Sequence, residues 1–121
     1  LNSNSTLIGN YNNNLWNITN VNAKYSTNNG NNFLAKLYKK TLSAGILLTT
    51  GADESFSLMN IYDLAGNVWE WTLEKTPYDS VPCTSRGGCY GSNGDEVLVS
   101  YRNGSDSING YRSVGFRVSI Y

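Results

Sequence analysis

The sequence predicts an irregular, loop-rich α+β domain of short antiparallel strands with few helices. Three observations carry that expectation. Asparagine clusters at 10–14 and 28–32, together with 12 glycines and 9 tyrosines, make a composition of turns and strands. Lys, Glu and Ala, the usual helix formers, are sparse. The apolar segments are short, and Gly or Asn interrupts them before a long helix could form.

At 121 residues the chain can build one core and not two, so 1–121 is expected to be a single domain. Its formal net charge is zero, only 15% of residues are charged, and the basic ones are scattered. That argues against nucleic-acid binding, which needs a basic stripe or patch. No apolar run approaches the ~20 residues that cross a bilayer, so no membrane insertion is expected. Leu1 opens a polar stretch and no signal peptide, and the chain is expected to be a piece of something longer.

Taken in order, residues 1–33 alternate short apolar pairs with Asn, Ser, Thr and Gly. Leu7, Ile8, Leu15, Trp16, Ile18 and Val21 are the expected anchors of these loops on the core. In 33–40 the apolar positions 33, 34, 37 and 38 suit one helix face, and Lys39 and Lys40 suit a helix C-terminus. One or two helical turns are therefore expected there. The run 46–50 reads as a short buried strand that Gly51 ends.

The segment 60–67 reads as a tight turn region, in which Gly66 and Asn67 tolerate positive φ. The strand 68–72 follows, with Val68, Glu70 and Thr72 on one face and Trp69 and Trp71 on the other. The two tryptophans are expected to bury a large area. A glutamate beside them must be paired or coordinated, because an unpaired buried carboxylate is costly. Arg86, Arg102, Arg112 and Arg117 are its candidate partners. Beyond it, 77–82 reads as loop and 86–90 as the start of a strand. The run 97–102 is apolar, then polar; 103–110 is a polar loop, and 114–121 alternates as a last strand. Cys83 and Cys89 have no histidine anywhere to complete a zinc site; a disulfide and two free thiols are both open.

The run Asn60-Ile61-Tyr62-Asp63-Leu64-Ala65-Gly66-Asn67-Val68-Trp69-Glu70-Trp71-Thr72 resembles the signature of the sulfatase-modifying-factor family. Arg86-Gly87-Gly88 and Gly115-Phe116-Arg117-Val118 follow in that family's order, and the resemblance covers roughly 46–121. It implies a C-type lectin-like fold of the formylglycine-generating-enzyme type, with the N-terminal third supplying the remaining loops and strands. In relatives that bind calcium, the motif's ligands fall here on Asp63, Gly66, Val68 and Glu70, the glycine and valine through backbone carbonyls. These are hard oxygen donors, right in kind for Ca²⁺.

The family's enzyme uses two cysteines placed shortly after Arg-Gly-Gly. Here those positions carry Ser92 and Val97; Cys89 lies three residues too early and Cys83 precedes the motif. The thiolate chemistry and soft copper coordination have no ligands, and the iron-dependent branch would need histidine. No enzyme activity of that kind is expected, and neither copper nor iron.

The stretch 89–113 is instead rich in Tyr, Gly, Ser, Asn and Asp, the vocabulary of a binding surface. It also resembles the variable region of diversity-generating-retroelement target proteins. Those use this lectin-like scaffold and diversify asparagine codons ahead of a terminal Gly-Phe-Arg. The candidate face is Tyr90, Asn93, Asp95, Tyr101, Asn103, Ser105, Asn109 and Tyr111, and an ordinary solvated loop is the plain alternative. The resulting expectation is a non-catalytic ligand-binding or display domain of a bacterial or phage surface protein. It would lie outside the cell, on its surface or on a phage particle, and take a protein or glycan ligand. A divergent enzyme of the family and a structural domain of a surface or pilus protein are the alternatives.

Overall fold

The computed structural model describes residues 3–28, 30–35, 39–106 and 108–118. Strands β1 (Lys24–Ser26), β2 (Leu34–Ala35) and β3 (Leu47–Leu48) form an antiparallel sheet in the order β2-β1-β3. A hairpin follows, β4 (Ser57–Leu58) against β5 (Ile61–Tyr62). Its two-residue loop, Met59-Asn60, has φ of 51° and 63° at the two positions, the backbone that matches the twist of adjoining strands. The third sheet runs β8-β7-β6-β9, from β6 (Trp69–Lys75), β7 (Cys83–Arg86), β8 (Arg102–Ser105) and β9 (Val114–Gly115). Its pairs are antiparallel except β6 with β9, where Glu70 lies opposite Gly115 in parallel.

Helix among the described residues is confined to two 3-10 turns, Thr6–Ile8 and Glu54–Phe56. The expected helical turns over 33–40 are not formed where the chain is described. Leu34 and Ala35 pair with Tyr25 and Lys24, and Lys39 bridges Asn17, so ladder pairing overrides the apolar spacing. Residues 36–38 lie outside the described residues.

The core is a cluster of Trp16, Ile18, Ala23, Ile46, Leu48, Ala52 and Phe56. Two of the expected anchors, Trp16 and Ile18, are therefore real, and 46–48 is buried as expected. Leu7, Leu15 and Val21 are exposed instead. Trp69 and Trp71 are partly buried and lie outside that core cluster. The core packs on β3, away from β6, and the Trp69 ring meets Tyr101 at 6.1 Å.

Buried amides join the sheets. Asn67 (φ 61°) accepts on Oδ1 from Leu48 N (3.0 Å) and donates through Nδ2 to Leu48 O (3.0 Å). The side chain thus acts as one rung of a ladder on β3. Asn10 donates to Asn67 Oδ1 (3.0 Å) and to Ile46 O (2.7 Å), and accepts from Trp16 Nε1 (3.0 Å).

Three further boundaries differ from expectation. Arg86 ends a strand and does not start one: Gly87 and Gly88 have φ of 95° and 76°, which breaks the ladder. A Cβ on Gly88 would stand 2.7 Å from the Tyr11 ring, so the backbone passes close to that ring there. The expected polar loop 103–110 begins as strand, since β8 runs to Ser105 against Cys83. The last strand is Val114–Gly115 only; 116–118 are unpaired in any strand, and 119–121 lie outside the described residues. Both cysteines are free thiols, which closes the disulfide alternative.

Candidate functional site

Two regions carry the residues singled out from the sequence. The first is the turn between β5 and β6. Asp63 (φ 53°), Gly66 (φ 69°) and Asn67 bend the chain through left-handed backbone, as expected for Gly66-Asn67. Asp63 is 6% exposed. Its Oδ2 accepts from Gly51 N (3.2 Å), while Oδ1 has no partner among the described residues. Burial pushes its carboxyl up to about 6, against the opposing pull of the Gly51 amide and the Arg117 charge.

Glu70 pairs with Arg117, whose Nε (2.9 Å) and Nη2 both reach Oε1. The same Nη2 donates to the carbonyls of Tyr62 (3.0 Å) and Asp63 (3.3 Å). Of the four arginines that could neutralise Glu70, the one in Gly-Phe-Arg does so, which ties the last motif to the first. Arg86 turns to Glu74, both contacts at 2.9 Å. Asp63, Val68 and Glu70 share a recess of about 240 Å³ with Asn67, Thr50 and Arg117. Gly66 is packed on Asn10, where a Cβ would meet Asn10 O at 2.6 Å. The unpartnered, buried Oδ1 of Asp63 is the kind of atom a hard cation takes, so the donors fit Ca²⁺ in kind. Among the described residues no group of three His, Cys, Asp or Glu comes together, so carbonyls must complete any coordination.

The second region is the stretch 89–113. Ser92, at the first position where the family's enzyme has cysteine, sets its Oγ 3.4 Å from Cys89 Sγ. The N-terminal asparagines clamp this loop, a role that composition did not reveal. Asn12 N donates to Ser92 O (2.8 Å), and Gly94 N donates to Asn13 Oδ1 (3.0 Å). Asn93 Oδ1 accepts from Asn12 Nδ2 (3.1 Å), and Asp95 from Asn13 Nδ2 (2.9 Å).

Asp106 orders the next turn. Its Oδ1 accepts from the backbone N–H of Ile108 (3.1 Å) and Asn109 (2.9 Å). Its Oδ2 accepts from Asn109 Nδ2 (3.0 Å) and Tyr111 Oη (3.1 Å). These bonds, led by the Asn109 backbone, hold its carboxyl below the usual range. Ser107 lies outside the described residues.

Of the eight candidate face residues, Asp95, Tyr101, Asn109 and Tyr111 are exposed, and Asn93 and Asn103 are half-buried. Tyr90 and Ser105 are buried at 7% and 8% and present no side chain to a partner. Tyr90 turns inward against Gly45, and Ser105 closes β8 over Cys83.

The family model of the sulfatase-modifying factor enzyme 1-like domain, FGE-sulfatase, matches residues 7–120. No curated protein and no solved structure matches the chain.

Proposed function

The chain belongs to the FGE-sulfatase family and has its C-type lectin-like fold, and from that membership we propose that it is a non-catalytic ligand-binding, display-type domain. The observation that carries the reading is the turn braced by Asp106. One carboxylate fixes Asn109 and Tyr111 on the outside of a hydrogen-bonded scaffold. A loop ordered before binding loses less entropy on contact, so its exposed Tyr and Asn can bind productively. Tyr101 and Asp95 extend the same exposed vocabulary. The ligand is a protein or glycan on another cell or surface, and the domain works outside the cell or on a phage particle. Adenine-directed diversification of 89–113 fits this use.

The locus tests the diversification directly. A template repeat that differs from the 89–113 codons only at adenines, beside a reverse transcriptase gene, is the expected finding. A locus without either removes that part of the reading. The absence of catalysis has its own assay: incubation with copper and a sulfatase-motif peptide should yield no formylglycine, and detecting the aldehyde overturns the proposal.

We further propose that Asp63 and Glu70, with carbonyls of Gly66 and Val68, hold Ca²⁺. Titration calorimetry should give a heat signal for the unaltered domain that Asp63→Ala abolishes. No heat from the unaltered domain refutes it.

A further inference from the structure

A cleft between β8 and the 76–82 loop, which takes Arg102, Asn103 and Gly104 of the 89–113 stretch as one wall, encloses about 390 Å³. We propose that this cleft binds an acidic sugar, a pyranose ring carrying a carboxylate. The proposal deepens the ligand-binding reading and rests on it.

The cleft is preformed. The 76–82 loop opens on Thr76-Pro77 and ends on Pro82, and Thr76 Oγ1 donates to Val81 O (2.5 Å) and accepts from Tyr78 N (3.2 Å) within it. Thr76 N donates to Pro82 O (3.2 Å), which closes the loop on its own base. Its opposite wall is β8, where Gly104 leaves the space open; a Cβ there would reach Val81 Cγ2 at 3.2 Å. A cavity of this size falls in the ~300–1,000 Å³ range of small-molecule sites.

Its chemistry is divided in the way a sugar needs. Pro77, Tyr78 and Val81 supply apolar surface, and the Tyr78 ring is largely exposed, ready to lie on the C–H face of a pyranose. Thr84 also lines the cleft; it is 0% exposed, and its hydroxyl has no hydrogen-bond partner among the described residues. A buried hydroxyl left unpaired is costly, and a side-chain shift in the cleft wall on binding would let a ligand hydroxyl pair it. The Asn103 side chain adds an amide.

Charge sets the acid preference. Glu74 is engaged by Arg86 at both oxygens (2.9 Å each) and lies 3.5 Å from Arg102 Nε. One carboxylate therefore faces two guanidiniums, and the positive charge left over sits on Arg102, half exposed in the wall of the cleft. A guanidinium with open donors is suited to a carboxylate.

The test titrates the domain with oligogalacturonate and with its neutral counterpart, oligogalactose, and follows tyrosine and tryptophan fluorescence. The acidic sugar is expected to bind at least about tenfold more tightly, the worth of one charge-assisted pair. Arg102→Gln should abolish that preference. Thr84→Val, which keeps the shape and removes an unpaired hydroxyl, should fold normally and weaken binding of both sugars. Equal affinity for the two sugars, no binding of either, or acidic binding untouched by Thr84→Val and Arg102→Gln overturns the cleft site. Sugar binding that is lost in Tyr111→Ala and kept in Thr84→Val also overturns it, and leaves the display reading standing. A peptide ligand that competes at Tyr111 with no sugar bound has the same consequence.

Discussion

Asparagine is the residue that most shapes this molecule, and at three positions it is buried structure. Asn10, Asn14 and Asn67 are each nearly inaccessible. Asn67→Ala removes three side-chain bonds and leaves the N–H and C=O of Leu48 and an amide hydrogen of Asn10 unsatisfied. With ~1–3 kcal/mol per buried orphan, the loss should reach roughly 3 kcal/mol or more in denaturant melts. Trp16→Ala, at 4% exposure, should cost about 3–5 kcal/mol, and Trp69→Ala clearly less because its ring is half-buried. Equal losses at the two tryptophans would contradict this placement of the core. Lys40 adds a pH signature. Its ammonium is buried over the Trp16 ring (5.8 Å) and donates to Tyr11 O (2.7 Å), and burial lowers it to about 8 from 10.5. Between those values the folded chain binds fewer protons than the unfolded one, so stability rises with pH across that window. Tyr11, raised by burial to about 12 from 10.0, acts oppositely: the folded chain holds its proton longer, and stability falls from about pH 10 upward. Above neutral pH, urea melts should therefore show a maximum near pH 10, and Lys40→Met should lose the rise between 8 and 10.

At the scale of elements, the turn before β6 was legible because its chemistry is local. Gly66 and Asn67 can adopt positive φ, and they do. The strand from Trp69 was legible for the same reason: its alternation is written in adjacent residues. Three elements were not. The pairing of Leu34–Ala35 with β1 depends on partners ten residues away, so local spacing pointed to a helix. The β4–β5 hairpin turns on Met59 at φ 51°, a residue that gives no turn signal. The Arg86-Gly87-Gly88 boundary was misplaced because glycine marks strand breaks and close approaches alike. In the candidate face, composition singled out eight residues without separating the exposed Asp95, Tyr101, Asn109 and Tyr111 from the others. The burial of Tyr90 and Ser105 was not legible, because it depends on β8 and Gly45 packing over them. The motif glycine gives the sharpest test at this scale. Gly66→Ala adds a Cβ 2.6 Å from Asn10 O at a φ of 69°, so backbone must move and strain is added. A loss above about 2 kcal/mol is expected, whereas Gly110→Ala, with open space around it, should be nearly silent. Thermal melts of the two variants decide it.

At the scale of the whole molecule, the scaffold and the proposed display surface draw on different residues. The core and the buried amide network lie among 10–67, and the motif arginine at 117 locks the last motif onto Glu70. The exposed positions 95, 101, 109 and 111 contribute no residue to that core cluster. A domain used for varied binding needs this separation, since substitutions on its face must leave the fold intact. Surface changes away from such features usually fall within about ±0.5 kcal/mol. A library randomised at 95, 101, 109 and 111 over Tyr, Asn, Ser, Gly and Asp should therefore stay folded almost throughout, as read by protease resistance on a display platform. Randomising Tyr90 and Ser105 over the same residues should deplete most variants, because both are buried. Asp106 separates stability from order: it is not in the core, yet four bonds converge on its carboxylate. Asp106→Ala should leave the melting temperature close to that of the parent while hydrogen exchange at the amides of 108 and 109 speeds up, since their acceptor is gone. Equal depletion of the two libraries would mean that the face is part of the fold, and the display reading would then fail for the domain as a whole.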